Sequence, residues 1–250
     1  MKKAALRIIL VVMLVLGVST MSLAQDALKA PTADLDKGWQ NLDIPLLKKT
    51  VKTFEEMAKK NPKDHNASYY AAKAQYAIAD CLDIKSDKEF DQTGDGEKHI
   101  DAALEQIKTS LAAKEDNVDT HTLKFIVIRR KMSHVSFPKL MMYVGDRNAA
   151  YDRAKALAPD SLTVQLLSAF QVAEGFPFPP PEKVVAEFDK ILKKDPKMAE
   201  AYYQIGVAWE KAKKNDDAKK NYEKAIELDP NHHWAKKKLK GLATASGTKS

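Results

Sequence analysis

The sequence predicts an all-α fold, and three observations carry that expectation. Nine Gly in 250 residues leave little room for the tight turns of a sheet-rich protein or for Gly-rich phosphate loops. The strong helix formers Ala, Leu, Lys and Glu are abundant. In the C-terminal third, apolar residues recur at spacings of one, three and four, the signature of one helix face. At 44% hydrophobic and 30% charged, the chain has enough apolar surface to bury a core as one large domain or two small ones. Its single Cys, Cys81, excludes a disulfide framework and any Cys-based zinc or iron–sulfur cage. That thiol is expected as a small buried residue on a helix.

The first segment is an address rather than part of the fold. Lys2, Lys3 and Arg7 precede the apolar run Ile8 to Val18, and the small residues Ser22 and Ala24 then stand before Gln25. This is the layout of a signal peptide over 1–24, with a run too short to span a membrane. Export, to a bacterial periplasm or beyond, is the expectation, with no integral membrane segment after cleavage. Loss of three cations and no acids lowers the formal charge from +7 to +4. That is too mild a balance for a nucleic-acid binder. Residues 25–39 read as an N-terminal linker, 40–243 as the helical domain and 244–250 as a disordered tail.

The clearest element pair lies between Ala199 and His232. Tyr202, Ile205, Gly206 and Trp209 form the face of one helix, and Asn215-Asp216 marks a turn with an N-cap. Ala218, Tyr222, Ala225 and Ile226 form the answering face of a second helix, and Asp229-Pro230 ends it. Gly206 and Ala218 are small where the helices would cross, while Trp209 and Tyr222 are large where they would diverge. This thirty-four-residue unit resembles the tetratricopeptide repeat (TPR) at Tyr202, Ile205, Gly206, Trp209, Ala218, Tyr222, Ala225 and Pro230.

Looser copies precede it. Val164, Leu167 and Ser168, then Val184, Phe188 and Ile191, occupy the same slots in a unit ending at Pro196. Its two helices are separated by the proline-rich turn Phe176 to Pro181. Another unit has a first helix from Val118 to Met132, a second beginning near Phe137-Pro138, and a close at Tyr151, Ala154 and Pro159. An earlier one opens with Tyr69, Tyr70, Ala72 and Tyr76, and closes with Ala103, Ile107 and Ser110 after a polar insertion, Asp83 to Lys98. Leu46 to Lys60 supplies a lone second helix. Trp234 to Leu242 reads as a solvating cap in which Lys236, Lys237, Lys238 and Lys240 surround Leu239 and Leu242. The resemblance implies a right-handed helical solenoid of about four to five helix pairs with a C-terminal capping helix, each pair burying its apolar face against the next.

Candidate chemistry is sparse. Asp91, Thr93 and Asp95 begin like a calcium-binding loop, but Lys98 and Ala102 break the pattern. The ordinary reading is a turn in which Asp95 caps the following helix. His232 and His233 read as exposed residues at the start of the cap helix, with no metal-binding spacing. There is no nucleophile elbow, Walker loop or dinucleotide fingerprint, and the sequence calls for neither a cofactor nor an enzyme. Ten Lys between 211 and 240 face five acids. That surface reads as a solvated cap or, more sharply, as a dock for an acidic partner or anionic headgroups.

The resemblance implies a protein–protein interaction scaffold binding a protein or peptide segment on its concave face. It places Tyr70, Ala74, His121, Phe125, Ile128, Arg129, Gln165, Ala169, Val172, Tyr203 and Val207 on that face, with Tyr70, Phe125 and Tyr203 as anchors. The alternative is a helical accessory subunit of a bacterial envelope assembly. Burial of the three anchors by the protein's own helices would favour the alternative.

Overall fold

The computed structural model describes residues 26–175 and 177–247, and the expected signal peptide lies outside them. These residues form eleven helices and no strand: α1 (26–40), α2 (Ile44–Lys60), α3 (His65–Lys85), α4 (Asp95–Ala113), α5 (Val118–His134), α6 (Phe137–Leu157), α7 (Leu162–Ala173), α8 (Pro181–Leu192), α9 (Ala199–Lys211), α10 (Asn215–Leu228) and α11 (His233–Gly247). They make five consecutive pairs and a final helix, a helical solenoid as the sequence predicts.

Three boundaries differ from expectation. The linker expected at 25–39 is a helix. Leu28, Leu35 and Gly38 fall on one face of α1 and are buried there, and bare Gly38 admits Leu47, which a Cβ would meet at 3.0 Å. Pro31 removes one ladder hydrogen bond, and the Thr32 hydroxyl donates to the Leu28 carbonyl at 2.8 Å. The lone second helix α2 therefore has its partner. The expected tail at 244–250 is helical as far as Gly247, and the rest lies outside the described residues. The insertion shortens to residues 86–94, because α3 continues to Lys85.

Side-chain caps start three of the helices. Asp43 accepts from the Leu46 amide (3.0 Å), Asp64 from that of Asn66 (3.0 Å) and Asn117 from that of Thr120 (2.7 Å). Each such cap contributes about 1 kcal/mol. Before α4 the arrangement departs from the reading. Gly94 is the N-cap at φ 83° and Asp95 is already helical. The capping carboxylate is Asp91, which accepts from the Gly96 amide at 3.0 Å. Before α10 the left-handed residue is Lys213, and Asn215 is helical rather than a cap.

The core is a chain of four apolar clusters that share helices. Leu35, Leu47, Phe54, Ala74, Ile78 and Cys81 join α1, α2 and α3. Tyr76, Ile100, Ile107, Leu123 and Val127 join α3, α4 and α5. Phe125, Tyr151, Leu167, Phe188 and Ile205 carry the core from α5 to α9. Ala218, Tyr222, Ala225 and Ala235 finish it across α9, α10 and α11. Only the first helix of a pair can face two clusters, so α3, α5 and α9 hold the array together. Cys81 is fully buried, and burial pushes its thiol up to about 12.

Candidate functional site

Helix α3 is apolar almost all round through Tyr76-Ala77-Ile78-Ala79-Asp80-Cys81-Leu82-Asp83, with two carboxylates in the run. Asp83 is fully buried and Asp80 is 6% exposed. Carboxylates so placed must be paired. Asp80 receives the Trp39 indole N–H from α1 (2.9 Å), Arg130 Nη2 from α5 (2.8 Å) and the Trp234 indole N–H from α11 (2.8 Å). Asp83 meets Arg130 Nη1 (3.4 Å), His134 Nε2 (3.0 Å) and the Asp91 amide (2.7 Å). Burial would lower the Arg130 pKa, but Tyr76, Asp80 and Asp83 outweigh it and hold the guanidinium firmly charged.

This hub closes the solenoid. The last helix returns onto the second pair, with the Arg130 guanidinium 4.7 Å from the Trp234 ring centroid and Phe90 of the insertion beside both. Lys237 Nζ donates to the carbonyls of Asp83 (2.5 Å), Ser86 (3.0 Å) and Lys88 (2.7 Å), tying the 86–94 segment to α11. His233 Nε2 bonds the Gln40 carbonyl of α1 at 2.8 Å. The cap helix is therefore a closure element rather than a solvated end.

Two further ionic groups line the interior. Glu174, at the end of α7, accepts from Arg129 and from Arg147 (3.1 Å). Arg129 lies 4.3 Å over the Phe170 ring. Glu200 of α9 pairs with His232 Nε2 at 3.4 Å and takes the Gln204 amide at 2.8 Å. Burial would lower the His232 pKa, but Glu200 outweighs it and raises it. A cavity of about 340 Å³ remains between Trp39, Asp80, Glu200, His232 and Trp234.

The expected apolar lane does not exist as one surface. Phe125 (0%), Ile128 (2%), Ala74 (0%) and Ala169 (1%) are buried in the core. His121 is buried, with Nε2 on the Glu115 carbonyl at 2.8 Å. Tyr70 is half-buried and stacks on Phe54, while Tyr203 is half-buried against Tyr222 and His232. Gln165 holds Lys194 at 2.6 Å, and Val207 packs on the last cluster. Val172 lines a shallow pocket with Pro177, Phe178 and Pro180, on the proline turn. Arg129 alone of the set joins the interior ionic groups. The expected exposure of His232 and His233 is corrected too: His232 pairs with Glu200 of its own repeat, and His233 reaches the Gln40 carbonyl across the closure.

The residues that form the closing hub are Asp80, Asp83, Arg130, His134 and Trp234, with the Arg129–Glu174 and Glu200–His232 groups also on the interior. One signal in the sequence could have found them: acids at 80 and 83 within an otherwise apolar helix, answered by Arg129-Arg130 after Phe125 to Ile128. The Asp91 carboxylate is spent on Thr93 and Gly96, and no group of three His, Cys, Asp or Glu among the described residues is placed to hold a metal ion.

The comparisons with known proteins bear on the fold. The tetratricopeptide repeat family model matches residues 199–232, the α9–α10 pair. No curated protein sequence matches the chain. Among solved structures, a thermophilic TPR protein of Thermus thermophilus superposes with TM-score 0.57 at 16% identity, over 86% of this chain and 99% of that one. Human IFIT1, solved as a dimer with m7Gppp-AAAA, gives TM-score 0.57 at 16% identity over 87% of this chain, which spans 46% of IFIT1. The α9–α10 pair thus matches the tetratricopeptide repeat, and the fold is that of the TPR solenoids.

Proposed function

We propose that this protein is an exported interaction scaffold that works as a helical accessory subunit of a bacterial envelope assembly. The observation that carries this reading is the closure of the concave face by Trp39, Asp80, Arg130 and Trp234. A groove that is filled by its own buried ion pairs has little apolar surface to offer an extended segment, so partners meet the outer surface and the rims. The basic start, apolar run and Ser22/Ala24 site support export, with the mature chain beginning at Gln25. No helix among the described residues is long and apolar enough to cross a membrane. The exposed Met141 (57%) and Met142 (77%) on α6 are apolar positions available to a partner.

The test is affinity capture from envelope extract, combined with intact-mass measurement of the bait. A large complex captured by a chain starting at Gln25 supports the reading. A retained N-terminus contradicts export, and capture of short free peptides in place of a complex contradicts the accessory role.

A further inference from the structure

We infer that the cleft between α11 and the 86–94 segment is a docking site for an acidic polypeptide segment. This deepens the scaffold reading above, by naming where one partner sits and what its chemistry is.

The cleft encloses about 760 Å³ and has Ile84, Trp234 and Leu242 among its lining residues. Its walls carry six lysines (Lys85, Lys88, Lys236, Lys237, Lys238 and Lys240) against Asp87, Glu89 and Glu210. Two of the six are used internally. Lys237 is held by the carbonyls of Asp83 on α3 and of Ser86 and Lys88 in the loop, and Lys238 pairs with Glu210 at 3.1 Å and lies 3.8 Å from Glu89. Among the described residues, Lys85, Lys88, Lys236 and Lys240 have no carboxylate partner, and all four are exposed. Like charges gathered on two facing walls repel, and an anionic occupant relieves that repulsion.

The shape selects the occupant's class. A walled cleft accepts an extended chain, whereas a bilayer presents its headgroups as a plane that reaches the rims only. The walls are also fixed in place. One is a helix packed through Ala235, and the other is held by the Lys237 bonds to the Ser86 and Lys88 carbonyls. Carboxylates of a bound segment would meet the four unpaired ammonium groups, and an apolar side chain between them would rest on the Ile84–Trp234 floor.

The experiment is fluorescence anisotropy of the purified protein with a fluorescein-labelled decapeptide of eight glutamates around two central phenylalanines. Saturable binding that weakens about tenfold or more from 50 to 300 mM NaCl is expected, since screening shortens the reach of charge to roughly 10 Å at 0.1 M. Lys236→Glu/Lys240→Glu should lose about tenfold or more. Lys49→Glu/Lys52→Glu, two exposed lysines of α2 outside the cleft, should stay within about twofold. If reversal on α11 unfolds the protein, Lys88→Glu in the loop should reproduce the loss. Equal binding of a glutamine-for-glutamate peptide, equal losses in the cleft and α2 variants, or no binding would overturn the proposal. Binding to phosphatidylglycerol vesicles without binding to the peptide would overturn it in favour of a lipid surface. Undiminished capture of a natural partner by Lys236→Glu/Lys240→Glu would overturn the cleft while leaving the scaffold reading standing.

Discussion

Trp234, in the last helix, donates its indole N–H to the Asp80 carboxylate of α3 at 2.8 Å, across 154 positions of sequence. Trp39 donates to the other oxygen of the same carboxylate at 2.9 Å. One buried acid thus receives an indole from each end of the helical array, and Arg130 from its middle supplies the countercharge. The relationship converts an open stack into a closed one, and it explains why the interior is ionic rather than apolar.

Arg130→Leu should destabilise the protein by about 3–5 kcal/mol, because it leaves Asp80 and Asp83 buried without their cation. Arg130→Lys should recover only part of that loss, since a single ammonium cannot reproduce the two-pronged contact. Urea denaturation of both variants checks this. A loss under about 1 kcal/mol for the leucine variant would mean that the carboxylates are solvated.

Gly206→Ala should cost about 1–3 kcal/mol through overpacking. A Cβ there would fall 2.6 and 2.7 Å from Tyr222 ring carbons and 3.2 Å from the Ala218 carbonyl. Tyr222 is fully buried and its hydroxyl is bound to Glu210, so the ring has no room to swing aside. An unchanged melting temperature would contradict the close crossing of α9 and α10.

The Glu200–His232 pair makes a pH-dependent contribution to stability. Burial acts to lower the His232 pKa, but Glu200 and Asp229 raise it above 6.5; its contribution is complete below that value and fades as pH rises through the higher folded value. Burial acts to raise the Glu200 pKa, but His232, Gln204 and Arg129 lower it below 4.5; its contribution is complete above that value and fades as pH falls through the lower folded value. The pair therefore contributes fully between pH 4.5 and 6.5. The stability difference between wild type and His232→Gln, followed by urea titration, should be largest in that window and shrink above it. A difference that grows as pH rises from about 6.5 to about 8.5 would contradict the pairing.

The helical units were legible where local pattern decides structure. Tyr202, Ile205, Gly206 and Trp209 mark a helix face because the spacing of small and large residues is itself the packing instruction. The same holds for Val184, Phe188 and Ile191, all of them buried. Helix α1 was less legible, since Pro31 and a run of polar residues mask the spacing of Leu28, Leu35 and Gly38. The concave face was misread for a different reason. Repeat positions assign a residue to a face only when the superhelix is open and regular, and here the insertion and α11 fill the interior. Phe125 is buried by α6 of its own pair and by α7 beside it, whereas the pairing of Asp80 with Trp234 joins distant units, which no local spacing encodes.

The closed interior is tested most directly by a double-mutant cycle between Asp80→Ala and Trp234→Phe, which keeps an aromatic ring at 234 but removes its N–H. Residues 154 positions apart can couple only if the array closes on itself. The closed structure predicts a coupling energy of about 0.5–3 kcal/mol in urea denaturation. Losses that add within about 0.3 kcal/mol would mean that the two ends do not meet, and would return the concave face to solvent.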